Sequence, residues 1–167
     1  IAPKLETFEL YWLYRAKGHD FIENFSIDRY PNLKELEFDI EDQTAVMDGF
    51  IHASNPDFEF DFSDIGDFKT LNKLSLCLTY VDYSKISHLK SLEKLYIEDC
   101  FNLSRFKNVL MNLKNLRKII IVDCKFDGFS DDIILENLED LKLTACSLYK
   151  LGGLGGCLNL KSLMAIE

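Results

Sequence analysis

Residues 92–100 read Leu-Glu-Lys-Leu-Tyr-Ile-Glu-Asp-Cys, and the same skeleton, L-x-x-L-x-L-x-x-C with Ile standing in for Leu, returns at 116–124 and 138–146. Leu92, Leu95, Ile97 and Cys100 thus correspond to Leu116, Ile119, Ile121 and Cys124, and to Leu138, Leu141, Leu143 and Cys146. The copies start 24 and then 22 residues apart. A self-similar period of this length marks one supersecondary unit, a short strand plus a return segment, stacked on like neighbours. Within each copy the central L-x-L alternates with period two, as a strand with one buried face requires. A single unit of this size cannot bury its own apolar face, so equivalent residues must stack into continuous ladders.

Weaker copies extend the array both ways. Leu71, Leu74 and Leu76 with Thr79 stand 21 residues before the first strong copy, and Leu160, Leu163 and Ala165 stand 22 after the last. Upstream, Leu33, Leu36 and Phe38 match the core with Glu41 at the turn, and Leu5, Phe8 and Leu10 match it with Leu13 there. Those two copies are 28 residues apart, long enough for a convex-side helix, for which the segment 19–27 is the candidate. The 38 residues from Leu33 to Leu71 exceed one ordinary repeat and fall short of two. They hold an irregular repeat or an insertion near 42–68, and Phe58, Phe60 and Phe62, alternating with Glu59 and Asp61, favour a degenerate repeat strand.

The motif resembles the leucine-rich repeat, in its Cys-containing form. That resemblance implies an α/β solenoid: a curved parallel sheet on the concave face, loops and short helices on the convex face, one domain over 1–167 with about seven repeats. In this family the Cys position usually holds Asn or Cys, turned inward at the end of the strand. Chains with the Cys form include F-box substrate receptors of ubiquitin ligases and nucleotide-binding immune receptors, so the resemblance implies an intracellular protein-recognition role. Neither an F-box nor nucleotide-binding motifs occur in these residues. The chain opens on Ile rather than Met and the last copy stops almost on its final strand, so it reads as part of a longer protein.

Composition agrees with a water-facing globular domain, 47% apolar and 28% charged. No apolar run reaches membrane-span length and no signal peptide opens the chain, which points away from a membrane partner. The odd count of 5 Cys, with three at a position the repeat already fills with Cys, favours reduced thiols and a cytoplasmic or nuclear setting. The sequons at Asn24 and Asn102 oppose this weakly. The net charge of -9 is concentrated in the first part, where the stretch from Glu35 to Asp67 holds no Lys or Arg. An acidic face repels phosphates and argues against nucleic acid.

Catalytic chemistry finds little purchase. His19, His52 and His88 fall in separate repeats without a carboxylate or Cys at metal-ligand spacing, and read as surface residues. The run 151–156, Leu-Gly-Gly-Leu-Gly-Gly, lacks the Lys and Ser or Thr of a phosphate loop and lies where a convex turn belongs. Nothing sets Asp131 and Asp132 opposite a second catalytic group. The expectation is a chain that is not an enzyme and needs neither cofactor nor metal.

Binding is where the register becomes useful. Alternation turns the residue between the two inner apolar positions outward, giving the file Glu37, Ser75, Tyr96, Ile120, Lys142 and Met164. The outward residues before it are Glu35, Lys73, Lys94, Lys118, Asp140 and Ser162, and those after it are Asp39, Cys77, Glu98, Val122 and Thr144. Together they predict an exposed apolar centre of Tyr96, Ile120 and Val122, with Lys73, Lys94 and Lys118 on one side, Glu98, Asp99 and Asp123 on the other, and Lys142 beside it. An apolar centre rimmed by charge is the usual form of a protein-binding hot spot. Three lysines in register need compensation, from Glu93 or Glu98 within the chain or from an acidic partner. Trp12, the single tryptophan, reads as an end-cover of the first repeat.

Overall fold

The computed structural model describes residues 4–14, 30–42, 68–77, 83–99, 103, 106–126, 128–129, 133–146 and 152–166. Its seven strands pair in one parallel sheet whose spatial order follows the chain. They are β1 (Thr7–Tyr14), β2 (Glu35–Asp42), β3 (Lys73–Cys77), β4 (Lys94–Glu98), β5 (Lys118–Val122), β6 (Asp140–Thr144) and β7 (Ser162–Ile166). Every strand starts two residues after the first Leu of a motif copy.

A repeated turn explains that constancy. The N–H groups of Leu33, Leu71, Leu92, Leu116, Leu138 and Leu160 each donate to the carbonyl three residues back, at 3.1–3.4 Å. One carbonyl then accepts two N–H groups from the next repeat: Asn72 from Glu93 and Lys94, Glu93 from Arg117 and Lys118, Arg117 from Glu139 and Asp140, all at 2.8–3.0 Å. The side-chain amides of Asn115, Asn137 and Asn159 donate to the carbonyls of Lys90, Lys114 and Glu136 at 2.6–2.9 Å. Thr70 donates its hydroxyl to the Leu33 carbonyl at 2.7 Å and Ser91 to that of Lys69, so the polar residue before Leu71, Leu92, Leu116, Leu138 and Leu160 ties adjacent turns. These bonds satisfy backbone acceptors that would otherwise lack partners at the strand starts.

Strand ends carry a second device. Asp99, Asp123 and Ala145 occupy the same motif position with φ of 47°, 49° and 50°. This left-handed residue turns the chain off the sheet while its N–H still reaches the next strand, to Val122, Thr144 and Ile166 at 3.1, 3.0 and 2.7 Å. The Cys that follows is buried. Cys124 Sγ lies 3.1 Å from the Val122 carbonyl, and Cys146 Sγ lies 3.3 and 3.5 Å from those of Thr144 and Ile121. Burial pushes the Cys146 thiol up from its ordinary pKa, as it does that of Cys157. Cys100 lies outside the described residues.

In-register pairing builds the inner ladders Leu74–Leu95–Ile119–Leu141 and Leu76–Ile97–Ile121–Leu143, all buried. Behind them pack α1 (Tyr83–Ile86), α2 (Phe106–Leu110) and the 3-10 turn Gly152–Gly156. Helices this short do not stand alone in water. α2 is held through buried Phe106, Val109 and Leu110. Phe106, Phe126 and Phe129 interlock edge to face with centroids 6.2 and 5.2 Å apart. The Gly-rich run forms that 3-10 turn, where a Cβ on Gly156 would lie 2.4 Å from the Ile133 carbonyl oxygen.

Several expectations need correction. β1 and β2 run eight residues each, so Leu13 and Glu41 lie within paired strands rather than at turns. The alternation continues there past the motif, and neither copy has a Cys to receive the chain as it leaves the sheet. Trp12 accordingly stands inside β1, registered opposite Ile40. β2 pairs directly with β3. Phe58–Phe62 and the helix expected over 19–27 lie outside the described residues, as do Thr79, His19, His52, both sequons and Asp131 with Asp132. β7 is exposed throughout, with Leu163 at 49% and Met164 at 46%.

Candidate functional site on the open face of the sheet

The outward files follow from the register residue by residue. Ser75, Tyr96, Ile120, Lys142 and Met164 are successive partners across β3 to β7. Lys73, Lys94, Lys118 and Asp140 form the file before them, and Cys77, Glu98, Val122 and Thr144 the file after. Over β2 to β5 these residues line a depression of about 350 Å³. Its floor is Ser75, Tyr96 and Ile120 with Glu37 at the β2 end of the same file, its basic rim Lys73, Lys94 and Lys118, and its acidic rim Asp39 and Glu98.

Burial differs from the expected exposed apolar centre. Tyr96, Ile120 and Val122 are half-buried, and Ser75 is only 5% exposed. Ser75 is the smallest residue of its file and sits in register between Glu37 and Tyr96, whose larger side chains shelter it. The Tyr96 hydroxyl donates to the Glu98 carboxylate two residues along its own strand. Burial first, then that hydrogen bond and the Glu98 charge, push the phenol far above its ordinary pKa. Tyr96 is therefore a neutral donor, held by its neighbour in one orientation.

The lysine file is compensated otherwise than expected. Lys73 pairs with Glu35 at 3.3 Å and Glu37 at 3.9 Å, and Lys118 with Asp140 at 2.6 Å. Neither Glu93 nor Glu98 serves. Lys94, exposed between the two, makes no ion pair among the described residues. The Lys118 ammonium holds the Asp140 carboxyl below its usual range. Asp99 is shifted oppositely, raised by burial and then by the charges of Asp123 and Glu98.

Six of the expected contact residues, Lys73, Lys94, Lys118, Tyr96, Glu98 and Ile120, thus come together in the depression. Val122, Asp123 and Lys142 lie outside its lining, although Lys142 and Val122 continue the outward files. Glu37, Asp39 and Cys77 also line it. Sequence reasoning placed them in the outward files without assigning them to the site, because the register alone does not show that the depression reaches back to β2. A charge network at the strand starts was missed too: Glu139 bridges Arg117 at 2.5 Å and Lys161 at 2.9 Å. These two hydrogen bonds hold the Glu139 carboxyl below its ordinary range. His88 is exposed as expected. Among the described residues no group of three or more His, Cys, Asp or Glu could hold a metal ion, and no helix is long and apolar enough to cross a membrane.

No protein-family model matches the chain. It is 30% identical over 125 residues to a Trypanosoma equiperdum protein described as "Putative adenylate cyclase regulatory protein". The match covers 75% of this chain, which spans only 17% of that relative's length. Among solved structures it is similar to internalin C2 of Listeria monocytogenes, with TM-score 0.50 and 20% identity over 82% of this chain and 65% of that one. It is likewise similar to the internalin inlF of that organism, with TM-score 0.56 and 18% identity over 84% of this chain and 44% of that one. At such identities the likeness is one of fold. Taken with the motif, the single parallel sheet and the repeated turns, it establishes that the chain folds as an α/β leucine-rich-repeat solenoid.

Proposed function

We propose that this chain is a protein-recognition module that reads its partner on the open, concave face of the sheet, around Tyr96 and Ile120, within a larger regulatory protein. The observation that carries this is the depression over β2 to β5, where an aromatic and an aliphatic side chain lie side by side between opposed rims of charge. Half-buried aromatic anchors bordered by polar side chains are where alanine scanning most often finds binding energy. The relative's description as a regulatory protein supports the same class of role. The buried thiols of Cys146 and Cys157 support an intracellular setting, since they pack as small apolar groups.

The finer role of a substrate reader in a ubiquitin ligase has only the Cys-containing motif in its favour. The relative's name points instead to control of a signalling enzyme. Affinity capture with the 167-residue chain as bait distinguishes the two by the partner retained. Tyr96→Ala combined with Ile120→Ala is expected to cut capture at least tenfold while moving the thermal midpoint by no more than a few degrees. A folded double variant that captures its partner normally refutes the placement. If the double variant captures normally and capture instead fails on reversing Asp57, Glu59 and Asp61, acids of the stretch from Glu35 to Asp67, to Lys, the chain is a scaffold that assembles through its acidic segment.

A further inference from the structure

Resting on the concave-face reading, we infer the chemistry of the partner: an extended segment that sets an internal Asp or Glu carboxylate on Lys94 and an apolar side chain over Tyr96 and Ile120. The first ground is the contrast within one file. Lys73 and Lys118 have acids of this chain at 3.3 and 2.6 Å, whereas Lys94, in register between them, has none among the described residues. Three ammonium groups on adjacent strands repel one another, and the fold answers that repulsion at both flanks and leaves the middle open. Lys94 borders the depression and is exposed, so an incoming carboxylate reaches it without displacing an existing pair.

The second ground is the floor. Tyr96 and Ile120 are registered partners on β4 and β5 and both line the depression, and the Tyr96 hydroxyl is held by its bond to Glu98. A ligand of charge alone would leave this apolar surface wet. One of apolar character alone would leave Lys94 uncompensated. The third ground is length. Four strands, β2 to β5, border the depression, a span of about 14 Å at the usual strand spacing, which about four extended residues cross. A single terminal residue fills too little of that width, so the carboxylate belongs to a side chain within a passing segment. Asp39 and Glu98 on the opposite rim, with Glu37 at the β2 end of the floor, exclude a uniformly acidic segment, so the acid must be local.

Selection from a displayed library of random linear peptides against the 167-residue chain tests this. The expected result is enrichment of sequences with one Asp or Glu within a few residues of a large apolar side chain. Their affinity should fall roughly tenfold on Lys94→Gln and with rising salt, while Lys94→Glu should select basic residues at the same place. Circular dichroism on each variant confirms that it is folded. Selected peptides that lose affinity on Tyr96→Ala but show no preference for an acid, and ignore Lys94→Gln, overturn the inference and leave the concave-face reading standing. Peptides indifferent to both substitutions overturn both. An absence of enriched peptides overturns the linear-segment inference, and so does a chain that sediments as a dimer dissolved by Lys94→Glu, which would give the depression to a second copy.

Discussion

A lysine kept unpaired between two other lysines should cost the fold stability, and removing it should return that cost. Lys94 is registered against Lys73 on one side and Lys118 on the other. Strand spacing near 4.8 Å and the splay of long stems put neighbouring ammonium groups about 6 Å apart. Each such pair repels by about 0.7 kcal/mol in water, and physiological salt cuts that to about half. Acids beside Lys73 and Lys118 reduce it further, so Lys94→Gln should stabilise the chain by about 0.5 kcal/mol. Lys94→Glu turns two repulsions into attractions and should give about 1 kcal/mol. For a chain of this size these gains raise the thermal midpoint by about 1–4 °C. Gln keeps most of the apolar stem, so lost packing does not mask the charge effect. Urea unfolding at low and high salt is the assay, with an unchanged m-value as the check on two-state comparison. The gain should shrink as salt rises. A Lys94→Gln variant that unfolds at lower urea, or a gain indifferent to salt, refutes the account of an unanswered charge.

At the strand ends, Ala145 holds φ near 50°, which an L-residue with a bare Cβ adopts at a cost. Ala145→Gly should therefore stabilise by about 0.5–1 kcal/mol in the same urea assay, after the entropy of a freer unfolded chain is subtracted. Gly156→Ala should do the opposite, by about 1–3 kcal/mol, because the new Cβ meets the Ile133 carbonyl oxygen at 2.4 Å; Gly155→Ala, with nothing within 4 Å, is the control. Glu139 and Asp140 have folded pKa values below their unfolded ones, so their pairs support the fold above the unfolded values and lose that support as pH falls through the folded ones. Urea midpoints measured below about pH 4 should fall, and fall less steeply in Glu139→Gln. Asp99 is shifted the other way, so its charge opposes the fold at neutral pH and Asp99→Asn should raise the urea midpoint there slightly, Asn being tolerant of the left-handed backbone.

Much of the sheet was legible because the motif residues are the ones that obey a hard packing rule. Leu95, Ile119 and Leu141 must meet when repeats stack, and once they do, the register of Tyr96 with Ile120 and of Lys94 with Lys118 follows from the pleat. The dipeptide Asn-Leu at 115–116, 137–138 and 159–160 was equally visible in the chain, yet its meaning needs the turn geometry, where each Asn amide reaches the carbonyl of the previous turn. The length of β1 and β2 was obscured because a motif fixes where a strand starts better than where it stops. Ion pairing of the lysine file was obscured for another reason. Glu93 and Glu98 are nearer to Lys94 in sequence, but salt bridges form across strands, between Lys73 and Glu35 and between Lys118 and Asp140, which a reading along one strand does not weigh.

The same geometry separates what holds the fold from what is available to a partner. Parallel pairing in strict register means that an inner substitution disturbs a ladder continued from repeat to repeat, while an outward one acts on its near neighbours on the same and adjacent strands. Cys124 and Cys146, although chemically the most reactive residues of the motif, are committed to carbonyls behind the sheet and shielded there. The outward residues carry the remaining freedom, and within them the fold has already bound Glu35, Asp140, Lys73 and Lys118 to one another. Tyr96 is likewise fixed by Glu98. Lys94 is what the internal pairing leaves over on the rim of the depression, and a charge that stability alone would remove is the residue on which recognition is best sought.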